Sequence, residues 1–266
     1  MLLTSAAPGA TVRDMAGDLG AGLDAAQFAQ RAGITPEPWQ AAVLRSPARH
    51  RILCCSRQAG KSTVSAVAAV HQALYHPNSL ILLLAPVGRQ AKELLGKVRA
   101  IYAGVRSEMG TESDNQITLA FANGSRIVVI PDKEGNVRGF SAVDLLIIDE
   151  AAWVLDSTYQ ATRPMLSVSQ GKVMLLSTPN GRRGFFHFEW TEGGMDWHRS
   201  MITVFDVPHI ARSWIEAERT KIPASTFDQE YMCAFTELED AAFHYDDIHA
   251  ALSPDVEPLF PWRTHG

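Results

Sequence analysis

The stretches "RILCC" (51–55), "SLILLLAP" (79–86), "VDLLIIDE" (143–150) and "KVMLLSTP" (172–179) most constrain how this chain can fold. Each is a short, continuous apolar run, the pattern of a strand buried on both faces. Helical patterns separate them: "STVSAVAAVHQALYH" (62–76), "RQAKELLGKVRAIYA" (89–103) and "TYQATRPML" (158–166), helical until Pro164. Doubly buried strands alternating with helices predict an α/β fold, a mostly parallel sheet flanked by helices on both faces. Ligands of such sheets bind beyond the carboxyl ends of the strands.

The remaining pattern adds a helix at "LDAAQFAQRAG" (23–33), a short one in "ITPEPWQAAVLRS" (34–46), and a hairpin in "QITLAFANGSRIVVIP" (116–131) around Asn123-Gly124. A further strand is expected in "RSMITVF" (199–205), and helices in "SWIEAERTK" (213–221) and "STFDQEYMCAF" (225–235). Residues 1–22, rich in Ala and Gly, read as a flexible N-terminus. The expected organisation is a main domain over 23–208, a helical C-terminal subdomain or linker over 209–252, and a tail over 253–266.

The polar motifs collect where those strands end. "CCSRQAGKSTVSA" (54–66) fits the end of the phosphate-loop pattern G-x-x-x-x-G-K-[ST], but Cys55 stands in place of the first glycine. Its setting between an apolar strand and a helix is the one that supports a phosphate loop over a chance triplet. Helix N-terminal N–H groups cradle anions. Candidate nucleotide contacts are therefore Ser56, Arg57, Gln58, Ala59, Gly60, Lys61, Ser62 and Thr63. Lys61 would reach the β- and γ-phosphates, Ser62 would hold Mg²⁺, and Thr63 would lie near the α-phosphate. "LLIIDE" delivers Asp149 to the metal shell and Glu150 to the attacking water. Ser177, Thr178 and Pro179 close another apolar strand, where hydroxyls can sense the γ-phosphate or simply form a turn. Gln40 offers an amide to an adenine edge. Arg57 and Arg138 are candidate transition-state cations, a role worth ~10³–10⁵ in rate, against the plain alternative of solvated surface arginines.

Composition bounds the partners. The 266 residues are 46% hydrophobic and 20% charged, with net charge −5, so contact with nucleic acid must be local or made by an assembly. Three cysteines suggest a reduced, cytoplasmic protein, and neither a signal peptide nor a membrane-spanning run is read.

Together, "AGITPEPWQ", "SRQAGKST", "APVGRQAKELL", "VRGFSAVDLLIIDEAAWV", "LLSTPNGRRGFF" and "FDQEYMCAF" resemble the large subunit of the terminase of tailed bacteriophages, over about residues 23–252. The resemblance implies a P-loop ATPase that spends ATP, with Mg²⁺, on threading double-stranded DNA into a procapsid. Implied partners are the portal protein, the terminase small subunit and a homo-oligomeric ring, in the bacterial host cytoplasm. It tolerates Cys55 because Gly60 makes the closest approach to the phosphates. It implies that Gln40 reads adenine, that Lys61, Ser62, Asp149 and Glu150 form the core site, and that Ser177–Pro179 couple it to motion. Arg57 would be the loop arginine and Arg138 a finger reaching a neighbouring subunit; the sequence alone does not decide which acts in trans. The family's RNase-H-like nuclease domain is expected to be absent. His244, Asp246, Asp247 and His249 are read as linker and tail, not as a metal site. A helicase-like ATPase and a degenerate nucleotide-binding remnant are the competing readings.

Overall fold

The doubly apolar runs become the centre of one sheet. The computed structural model describes residues 12–105, 110–131, 139–236 and 251. Chain order begins α1 (Val12–Leu23), α2 (Ala25–Arg31), α3 (Pro38–Arg45), β1 (His50–Cys55), α4 (Lys61–Tyr75), β2 (Leu80–Ala85) and α5 (Gly88–Val105). The hairpin region follows as β3 (Thr111–Asp114), β4 (Thr118–Phe121) and β5 (Arg126–Pro131). Then come β6 (Leu145–Asp149), α6 (Asp156–Thr162), β7 (Lys172–Ser177), α7 (Gly184–Thr191), β8 (Trp197–Ile202), α8 (Arg212–Arg219) and α9 (Ala224–Glu230).

Eight strands among the described residues pair in the order β3-β4-β5-β2-β6-β7-β1-β8. The run from β5 to β8 is parallel throughout, while β3 and β4 add an antiparallel edge. β1 and β6 lie on either side of β7, so the loops leaving them open onto the same end of the sheet.

Side chains alternate between two cores, as strand geometry requires. Leu53, Cys55, Leu83 and Ile147 face α2, α3, α4 and α5. Ile52, Cys54, Leu82 and Ile148 face the other way, onto Phe185 and Phe186 of α7. α4 buries ten of its fifteen residues, mostly Ala and Val, which lets it pack against the sheet and α5 at once. Cys54, Cys55 and Cys233 are all buried and unpaired.

Three segments differ from expectation. Residues 12–23 form a helix where loose chain was expected. Its alanines and glycines carry little signal, and its order comes from contacts: Tyr75 donates to Asp18 at 3.0 Å, the His71 ring meets Ala21 O at 3.1 Å, and Asp18 pairs with Arg31 at 2.9 Å. β3, "TESD", is wholly exposed and has no apolar pattern to read. "GFFHFEWT" forms α7 after Gly184, burying Phe185 and Phe186 and leaving Phe188 exposed.

Candidate functional site

The loop between β1 and α4 is shaped by backbone before any side chain acts. Ser56 N–H donates to Ile202 O at 2.8 Å and Arg57 N–H to Glu230 O at 3.0 Å, anchoring the loop to β8 and α9. Gln58 and Gly60 both take left-handed conformations, at φ +62° and +88°. The left-handed φ at Gly60 favours glycine, and a β-carbon there would lie 2.8 Å from Gln40 Nε2, the movable end of that side chain. Cys55, by contrast, lies within β1, paired with Ile202 and fully buried, where the extended backbone needs no glycine. Burial pushes its thiol well up, so it is a core side chain.

Charged groups meet across the gap between loop and β6. Ser62 Oγ donates to Asp149 Oδ2 at 2.9 Å. Lys61, itself buried, places Nζ 3.0 Å from Glu150 Oε1. Burial, and then the neighbouring Glu150 charge, raise the Asp149 carboxyl above its usual range. Glu150 sits at φ +52°, a left-handed conformation unusual for a non-glycine residue and common at functional positions. A cavity of about 130 Å³ opens here, walled by Ser62, Asp149 and Glu150 on one side and by Gln90, Glu93 and Lys97 of α5 on the other.

The remaining expected residues distribute as follows. Gln40 is buried beside Gly60, and its Oε1 accepts Glu37 N–H at 2.9 Å. Ser56 Oγ is buried with no hydrogen-bond partner. Thr63 N–H closes the first turn on Gly60 O at 3.0 Å. Ser177 Oγ accepts Ala152 N–H at 3.1 Å, so the end of β7 touches the turn that follows Glu150. Thr178 and Pro179 are buried behind it. Arg57 turns outward and pairs with Glu230 of α9. Arg138 lies outside the described residues, as do His244, Asp246, Asp247 and His249.

Sequence reasoning missed two residues beside this loop. His209 contacts Glu37 Oε1 at 2.9 Å and Gln58 O at 3.1 Å, tying the N-cap of α3 to the loop. Glu230, within "FDQEYMCAF", pairs with Arg57 through its carboxylate and accepts the Arg57 N–H on its backbone oxygen. Neither pairing leaves a local sequence trace, since the partners lie 151 to 173 residues apart.

Likeness to known proteins decides the family. The sequence profile of the family described as "Terminase large subunit, T4likevirus-type, N-terminal" matches residues 52–250. The chain belongs to the terminase large-subunit family. The large terminase subunits of Thermus phage G20c and Thermus virus P23-45 are each 28% identical to it, over 90% of this chain and 55% of theirs. The chain thus spans about half the length of the curated relatives it matches. The large terminase ATPase domain of Thermus phage P74-26 superposes with a TM-score of 0.68 at 27% identity, covering 79% of this chain and 98% of that one. The large terminase of bacteriophage HK97 shares the fold, with a TM-score of 0.62 at 13% identity over 75% of this chain and 50% of that one. In this terminase chain the loop, the β6 acids and the end of β7 are joined by the Ser62–Asp149, Lys61–Glu150 and Ala152–Ser177 contacts.

Proposed function

We propose that this chain is a magnesium-dependent ATPase that couples hydrolysis to translocation of double-stranded DNA into a procapsid. One observation carries the reading: Ser62 Oγ and the Asp149 carboxylate, 87 residues apart, meet at 2.9 Å beside the Lys61–Glu150 pair. Family membership and the likeness to a phage terminase ATPase domain support it.

The residues fit the groups the reading needs. A hydroxyl and a carboxylate facing each other are the hard oxygen donors that Mg²⁺ takes. The orphaned Ser56 Oγ and the left-handed Gly60 suit a loop that closes on an anion. Mg²⁺ held by Ser62 and Asp149 would neutralise charge on the phosphate oxygens. Lys61, now held by Glu150, would exchange that carboxylate for phosphate oxygens when nucleotide arrives. Glu150 is then freed to orient and deprotonate water. Ser177, which accepts Ala152 N–H, would relay the state of that acid along β7. Gln40 would read the adenine edge, while Arg57 and Arg138 would act as the loop cation and the finger toward a neighbouring subunit.

The same reading takes the portal protein, the small subunit and further copies of this chain in a ring as partners, in the bacterial host cytoplasm. A ring accommodates the net charge of −5, because only the surface lining the DNA path need be basic. Among the described residues no helix is long and apolar enough to cross a membrane.

Steady-state ATP hydrolysis with and without DNA tests the proposal. Glu150→Gln should abolish turnover while ATP still binds, and Lys61→Ala should lose nucleotide affinity. Parental turnover in the first variant removes the water-activating role; unchanged binding in the second removes the loop assignment.

A further inference from the structure

The wall of the cavity opposite Asp149 and Glu150 has no role in the reading above. It is made by α5, whose Gln90, Glu93, Leu94 and Lys97 recur at three- and four-residue spacing on one helix face. Sheet order explains the placement. β2 pairs directly with β6, with Leu84 beside Ile148, so the chain leaving Ala85 enters the sheet end where Asp149 and Glu150 stand. Gln90 lies in the first turn of α5, three residues into the helix, and lines that cavity. Its Oε1 is buried and has no hydrogen-bond partner. A buried amide oxygen without a partner is costly and therefore uncommon, and it calls for an explanation.

We propose that Gln90 is a catalytic residue that binds the attacking water of ATP hydrolysis, completing from α5 the grip that Glu150 provides from β6. This rests on the ATPase reading of the same site. With the Gln90 amide turned about its last torsion so that its oxygen leaves the buried position and faces the cavity, the water oxygen lies between that oxygen and the Glu150 carboxylate, donating one hydrogen bond to each. When it attacks, a bond forms from that oxygen to the γ-phosphorus. The bond from the γ-phosphorus to the β–γ bridging oxygen breaks, and ADP leaves with the electron pair. The proton lost by the water passes to Glu150 and from there to solvent, leaving ADP and inorganic phosphate. Gln90 transfers no proton; it fixes the direction of attack, a contribution realised only in the transition state.

Gln90→Met tests this, since it keeps the length of the side chain and removes the amide. The nucleotide-free variant should melt at or above the parental Tm, because a buried unsatisfied group is gone. Its affinity for ADP should be parental. Its affinity for ADP with aluminium fluoride, which mimics the transferring phosphoryl group and its in-line oxygen, should fall by roughly 10²-fold, as should kcat. Parental kcat and parental aluminium fluoride affinity overturn the proposal. So does a lowered Tm with parallel loss of ADP binding, which marks Gln90 as a packing residue. A parent chain that binds ATP but never hydrolyses it overturns the ATPase reading itself, an outcome separate from parental activity in Gln90→Met.

Discussion

Gly60 and Cys55 occupy the two glycine positions of the loop pattern, and the structure treats them oppositely. At Gly60 any side chain enters the left-handed region and meets Gln40 Nε2 at 2.8 Å. Gly60→Ala should therefore destabilise the protein by about 1–2 kcal/mol and weaken nucleotide binding, read by thermal melting and titration. At Cys55 the backbone is an ordinary strand in a filled core. Restoring the consensus glycine, Cys55→Gly, should cost roughly 1–3 kcal/mol and leave nucleotide affinity no better. The pattern G-x-x-x-x-G-K-[ST] was thus legible in its second half and misleading in its first. The apolar run "RILCC" already ends the strand at residue 55, and the β1–β8 register bears it out. Gln90 was illegible for another reason: a polar residue in a helix's first turn is ordinary until its neighbours in space are known.

Among the elements, the apolar strands could be read directly because burial on both faces leaves an unbroken hydrophobic run, and α4 and α5 because their buried residues recur at helical spacing. α1 could not, because its order is borrowed from α2 and α4. That borrowing gives it a pH dependence. His71 lies against Phe28 and Tyr75 with ring centroids 5.5 and 5.2 Å away, and burial pushes its imidazole down to about 4. His76, 6.4 Å from it, is lowered by burial and by Lys172. Between the unfolded value of about 6.5 and the folded one, only the unfolded chain binds the proton, so stability rises with pH. The His71 contribution is complete above about pH 6.5 and is lost toward pH 4, by up to roughly 3 kcal/mol. Melting curves across this range should show the slope, and His71→Phe should flatten it. α9 contributes differently, through Glu230 on Arg57. The Arg57 side chain is 62% exposed, so Glu230→Gln should change stability by no more than about 1 kcal/mol. It should instead tighten ATP binding, because a carboxylate no longer competes with phosphate for the guanidinium. Unchanged affinity in a nucleotide titration would separate Arg57 from the site.

At the scale of the molecule, one sheet joins both halves of the site, so ligand binding should stabilise the whole domain. With Glu150→Gln to prevent turnover, Mg²⁺ and ATP at 100 times Kd should add about 2.7 kcal/mol to the unfolding free energy. Chelating the metal should remove most of that gain, and a Tm insensitive to chelator would speak against Ser62 and Asp149 as metal ligands. The α/β architecture and the meeting of loop and acids were legible from strand ends alone. The ties from His209 and Glu230 were not, because they depend on how the chain beyond β8 folds back. The interior position of Cys54, Cys55 and Cys233 has a practical side. A folded molecule offers no thiol to a water-soluble maleimide, so the reagent reports only melted chains. A single cysteine installed on the surface would then take a fluorophore alone, letting individual molecules be followed without first removing the native thiols.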